Sequence, residues 1–212
     1  PHPALEAVFT VGEEVGLIGA TALDASDLTG KILMNMDSEN DGIFLIGCAG
    51  AATVACCLPV KKETVSGQMY DWHIDGLMGG HSGAEIDKNR ANANSLLGKF
   101  LHGLDEKTDF ELISVQGGQK DNAITREATA EILVLEENTD AVREYAASVQ
   151  GAWREEYAGT DEGITVTVED EGKQEVRVLH PTSKEKVIFF LVNVPYGVQK
   201  MSGTIKGLVE TS

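Results

Sequence analysis

Between Gln68 and Val168 the apolar pattern switches repeatedly between a strand period and a helix period, and the order of those switches leaves few folds open. Gln68 to Leu77 is rich in aromatic and β-branched residues and reads as a strand. Residues 89 to 103 then place Ala91, Ala93, Leu96, Leu97, Phe100 and Leu101 at helical spacing. Glu111 to Val115 is again strand-like, Gly117-Gly118 turns the chain, and Ala128 to Leu135 returns as a strand. Thr139 to Tyr157 is helical through Val142, Tyr145, Val149 and Trp153, with Asp140 at the positive end of the helix dipole. Ile164 to Val168 alternates as a closing strand. The order predicts a split βαβ, ferredoxin-like α+β arrangement. Ser183 to Val194 predicts one more helix, capped by Ser183 with Glu185 in its first turn.

Upstream, the character differs. Two short apolar runs, Ala7 to Val11 and Ile32 to Met36, flank a helix-compatible segment, Leu17 to Leu23, closed by Asp24, Ser26 and Thr29-Gly30. This predicts strand, helix, strand, with a further short strand at Ile43 to Ile46. Parallel strands joined by a crossover share one carboxyl edge, and open α/β sheets bind ligands there. Glu13-Glu14 follows the first run and Asp37 ends the second, so the three carboxylates are expected to converge. Carboxylates brought together need a cation, a shared proton or full solvation. A divalent metal such as zinc suits them, with one carboxylate ligating and another taking a proton from a bound water. On spacing alone, an acidic loop in a very acidic chain is an equal reading. From about residue 52 the composition turns strand-rich: Ala52 to Val60 is strand-like, and Lys61-Lys62-Glu63 with Ser66-Gly67 reads as a polar turn.

Charge narrows the partners. The chain carries 34 acidic against 17 basic residues, a net charge of −17. That opposes binding to nucleic acid or anionic membranes. The cysteines, Cys48, Cys56 and Cys57, are odd in number and lack zinc-site spacing, so they read as reduced, largely buried thiols of a cytosolic protein. No signal peptide or long apolar run is present. The chain opens at Pro1 and ends at Ser212 in a strand-like context, which is expected of an internal segment of a longer protein.

Several motifs then point the same way. They are Glu13-Glu14, Asp37-Ser38-Glu39, Gly47-Cys48-Ala49-Gly50, Gly79-Gly80-His81-Ser82-Gly83, Arg90-Ala91-Asn92-Ala93-Asn94, Gly117-Gly118, Asp121-Asn122-Ala123-Ile124 and Gly207-Leu208-Val209-Glu210-Thr211-Ser212. With them the chain resembles the co-catalytic dizinc peptidases of the M-twenty family, in particular the subgroup acting on Xaa-His dipeptides. The resemblance implies that residues 1–51 are part of a catalytic domain and residues 52–212 a lid and dimerisation domain, incomplete at its C-terminal end. It implies Glu13 as general base, Glu14 and Asp37 as metal ligands, His81 as an oxyanion donor reaching the partner subunit's site, and Asn122 as a substrate contact. It further implies two zinc ions in the complete protein (cobalt or manganese being the other divalent candidates), a dipeptide substrate, a homodimer formed through the lid, and a cytoplasmic location. The family's remaining ligands would lie before Pro1 and after Ser212, so the chain by itself is expected to be inactive. Two positions depart from the family pattern: Gly12 stands in place of Asp, and Thr125 in place of Pro.

Read without the resemblance, Asn122 is a turn residue and His81 a lone histidine on a flexible glycine-flanked loop. Arg90 and Arg126 are candidate partners for a substrate carboxylate. His2, His73, His102 and His180 have no partner at ligand spacing, and Glu155-Glu156 and Glu169-Asp170-Glu171 read as solvated charge runs. Two other functions stay open: a non-catalytic lid or dimerisation module, and a related dizinc amidohydrolase such as an aminoacylase or deacetylase.

Overall fold

A computed structural model describes residues 2–37, 41–45, 47–48 and 50–212. Ser38 and Glu39 of the Asp37 motif, Ile46 of the third expected strand and Ala49 of the Gly47–Gly50 motif lie outside the described residues. The chain divides into two compact units, Pro1–Ala52 and Thr53–Ser212.

In the first unit, α1 (Ile18–Thr21) is a single turn where a longer helix is expected. Residues 7–11, 32–36 and 43–45 run without strand pairing. The reason is burial. Strands of a parallel sheet need cover on both faces, and here Phe9, Ile32, Leu33 and Met36 are almost fully exposed. Apolar runs without a neighbour leave their backbone groups to water and form no ladder. One polar tie closes this unit: the Glu6 carboxylate accepts from the Thr29 hydroxyl at 2.8 Å and from the Gly30 amide at 2.7 Å. Those donors hold the Glu6 carboxyl below its ordinary range.

The second unit contains the sheet. Its elements are β1 (Lys62–Asp75), β2 (Gly80–His81), α2 (Ala93–Asp105), β3 (Phe110–Gly117), β4 (Ala123–Ile124), β5 (Ala128–Val134), α3 (Thr139–Glu156), β6 (Thr165–Leu179), α4 (Pro181–Asn193), β7 (Lys200–Met201) and β8 (Val209–Thr211). The main sheet is antiparallel in the order β3-β5-β1-β6, which is the split βαβ arrangement expected from the sequence. Alternation sends Tyr70, Trp72 and Ile74 of β1 to one face, beside Ala128, Ala130 and Ile132 of β5. Trp72 lies opposite Ala130, a small neighbour that leaves room for the indole. The indole stacks on Phe100 of α2 with ring centroids 4.3 Å apart, and Phe100 stacks on Tyr145 of α3 at 5.4 Å. Leu96, Leu97, Leu101 and Leu104 complete the buried stripe of α2.

Three features differ from the sequence expectation. Residues 52–60 form no strand, and the expected turn at Lys61–Gly67 lies inside β1, which pairs with β6 as far as Leu179. Gly67 is a packing glycine: a Cβ there would run into the Leu133 side chain. That extension is covered by a second apolar cluster, Ile113, Leu133 and Val178 with Val65, Met69 and Val176, on the face away from Trp72. Next, α4 begins earlier than expected. Its cap is His180, whose Nδ1 accepts the Thr182 amide at 3.4 Å, with Pro181 in the first turn. Ser183 is buried instead, and its hydroxyl accepts the Lys61 amide at 2.9 Å. Finally, Cys48, Cys56 and Cys57 are free but exposed, because the stretches that carry them form no helix or strand to cover them. Among the described residues no helix is long and apolar enough to cross a membrane.

Candidate active site

β2 and β4 form a small antiparallel ribbon of their own, with Gly80 opposite Ile124 and His81 opposite Ala123. The Ser82 amide donates to the Asn122 carbonyl at 2.9 Å. Two residues far apart in sequence, His81 and Asn122, are thus neighbours on one ribbon. Gly79 and Gly80 have φ of 67° and 136°, values that suit glycine. A side chain at either would displace its neighbours: a Cβ on Gly79 would meet the Arg126 stem, and one on Gly80 would meet Arg90 and Glu85.

The His81 ring is held by its own turn. Its Nδ1 accepts the Gly83 amide at 3.0 Å and the Ala84 amide at 3.1 Å. A backbone amide can only donate, so Nδ1 is the unprotonated nitrogen and the neutral ring carries its hydrogen on Nε2. Nε2–H has no partner among the described residues, and the side chain is exposed. The residue therefore presents one hydrogen-bond donor outward.

The backbone around this histidine is tied on both sides by hydrogen bonds. The Glu85 carboxylate accepts the His81 amide at 3.0 Å, and the Glu85 amide donates back to the His81 carbonyl at 3.1 Å. Arg90 Nη2 donates to Glu85 at 2.8 Å, while Nη1 donates to the Gly79 carbonyl. The His81 amide, and after it Arg90, hold the Glu85 carboxyl below its ordinary range. From the segment after α4, the Tyr196 hydroxyl donates to the Arg90 carbonyl at 2.9 Å. Burial pushes the Tyr196 phenol up to about 12, helped by Tyr157 and Asp161 nearby. Asp161, buried in the loop after α3, accepts the Met78 amide at 2.7 Å and the Ala91 amide at 2.8 Å. It thereby closes both ends of the loop that carries His81.

The Arg90–Asn94 motif has a structural explanation as well. Asn92 caps α2, its side chain accepting from Asn94 at 2.9 Å. Thr125 is buried; its carbonyl accepts the Ala93 amide at 3.0 Å, so β4 is fastened to the start of α2. Beside it, Leu77, Gly118, Thr125 and Arg126 line a cleft of about 280 Å³. Arg126 Nε donates to the Leu77 carbonyl at 3.2 Å.

The carboxylates lie in the other unit. Glu13 and Glu14 are exposed in a tight turn, in which the Glu13 carbonyl accepts from Gly16 at 3.1 Å and Leu17 at 3.0 Å. Asp37 is exposed too. The expected convergence depends on paired strands, and those are not formed. Among the described residues, no three His, Cys, Asp or Glu side chains are gathered as metal donors.

Glu85, Asp161 and Tyr196 escaped the sequence reading. Glu85 had a signal, the four-residue spacing from His81. Asp161 and Tyr196 had none, since their partners are distant in sequence.

The family model of the peptidase dimerisation domain matches residues 73–161, which span the end of β1, the ribbon, α2, β3, β5 and α3. Residues 73–161 thus carry the dimerisation domain of M-twenty peptidases, and the chain as a whole is similar to dipeptidases. It is 35% identical to the cytosol non-specific dipeptidase of Escherichia coli (strain K12) over 100% of this chain and 44% of that protein. The crystal structure of aminoacylhistidine dipeptidase from Vibrio alginolyticus superposes with a TM-score of 0.72 at 30% identity, over 95% of this chain and 41% of that one. An uncharacterized protein of Bacillus subtilis (strain 168) is 30% identical, over 71% of this chain and 38% of its own length. The chain thus spans less than half the length of these relatives.

Asp161→Ala would orphan the Met78 and Ala91 amides, at about 1–3 kcal/mol for each buried donor left unpaired. A lowered urea midpoint is expected, with faster amide exchange at Met78 and Ala91. An unchanged midpoint would show that the carboxylate does not fasten the loop.

Proposed function

We propose that this chain is part of a metal-dependent dipeptidase whose whole protein cleaves dipeptides, those of the Xaa-His type included. Likeness to two dipeptidases across nearly all of the chain supports the reaction class. The observation that carries the reading is the ribbon on which His81 offers an Nε2–H donor beside Asn122.

In this reading residues 1–51 are part of the catalytic domain and residues 52–212 form the lid, through which two copies pair as a homodimer in the cytoplasm. Glu13 is the general base. Its carboxylate takes a proton from the attacking water as the water oxygen bonds to the peptide carbonyl carbon, and that proton passes to the departing amine. His81 donates Nε2–H to the oxygen that becomes negative, and Asn122 orients the substrate. Glu14 and Asp37 are metal ligands. The residues described here do not complete a metal shell, since zinc takes about four donors and the Glu14 and Asp37 carboxylates give two.

Two outcomes test this. In the whole protein, Glu13→Gln should cut dipeptide turnover about 10²–10⁴-fold while metal content is unchanged. Near-normal turnover would remove Glu13 as the base. In the 212-residue chain alone, calorimetric titration with zinc should detect only weak binding. Tight stoichiometric zinc would contradict the ligand assignment.

A further inference from the structure

Glu85 grips both ends of the turn that orients the His81 ring. Its carboxylate takes the His81 amide, and its own amide returns to the His81 carbonyl. The turn between them brings the Gly83 and Ala84 amides onto Nδ1. Arg90 then joins Glu85 to the Gly79 carbonyl, so that one planar guanidinium spans the approach to the histidine and the closure of its turn. Lysine, a single point donor, has no second planar nitrogen for the Gly79 carbonyl.

We propose that Glu85 and Arg90 are positioning residues for His81: they lock its backbone turn, and through the turn its tautomer, so that the ring meets substrate as an Nε2–H donor. The proposal rests on the catalytic role given to His81 above. Neither residue touches substrate, and their effect reaches the reaction only through the imidazole. If the turn loosens, Nδ1 loses its two amide donors and the ring populates both tautomers. The fraction in the donor form falls, and with it the stabilisation of the oxyanion.

The test has two arms. In histidine-labelled 212-residue chain, ring ¹⁵N spectra assigned with His81→Ala should show a single Nε2–H tautomer in the wild type. A mixture is expected in Glu85→Ala, and also in Arg90→Lys, with the amides of β5 unshifted. In the whole protein, Glu85→Ala should lower kcat about tenfold or more with KM unchanged within about twofold. Glu85→Ala combined with His81→Ala should be no slower than His81→Ala alone, because both act through one ring. A His81 ring that stays wholly Nε2–H in Glu85→Ala overturns the proposal, and so does a double variant whose losses multiply. Unchanged turnover in His81→Ala would instead overturn the catalytic role of His81, while the spectra still decide whether Glu85 sets the ring.

Discussion

The second unit depends on how one face of an antiparallel sheet meets two helices. Trp72 on β1, Phe100 on α2 and Tyr145 on α3 form a continuous stack, and Ala130 opposite Trp72 keeps the sheet low enough to receive it. Truncating a buried aromatic residue in such a place typically costs about 3–5 kcal/mol. In this unit the candidate site residues hang from the ends of these elements. The His81 loop leaves β1 and enters α2; the Asn122 turn leaves β3 and enters β5. Because β1 and β5 are neighbours in the sheet, the two loops emerge at the same end and pair as a ribbon.

The ribbon is then stiffened by charge and burial. Buried Asp161 fastens Met78 and Ala91, and Thr125 ties β4 to the first turn of α2. Glu85 and Arg90 close the turn between those fixed points. A histidine flanked by glycines reads from sequence as mobile. Here the glycines serve close approach: side chains at Gly79 and Gly80 would displace the Arg126 stem and the Arg90–Glu85 pair. Preorganised donors are what a developing oxyanion needs, since little reorganisation is left for the moment of reaction.

Period and order made the sheet legible in advance. Tyr70, Trp72 and Ile74 alternate, α2 carries a helical stripe, and the sequence of elements leads to one topology. The exact extent of β1 and β6 was hidden because Gly67 looks like a turn and is a packing site under Leu133. The α4 cap lies three residues before Ser183, a common cap residue, because Pro181 starts the helix sooner and His180 takes the role. In the first unit the apolar runs have the composition of strands, yet a run becomes a strand only when a neighbour takes its backbone groups. At the candidate site the histidine and asparagine could be found by motif. The brace could not, because Asp161 and Tyr196 meet the loop only in three dimensions.

If, as the resemblance implies, His81 completes a site in the neighbouring copy, two inactive variants can complement each other. The most direct measurement makes His81→Ala and Glu13→Gln in the whole protein, mixes the two inactive variants, and assays dipeptide turnover after subunit exchange. Donation across the dimer leaves one intact site in each mixed dimer, and statistical assembly then restores roughly a quarter of wild-type activity. Mixed dimers that form and stay inactive would contradict it.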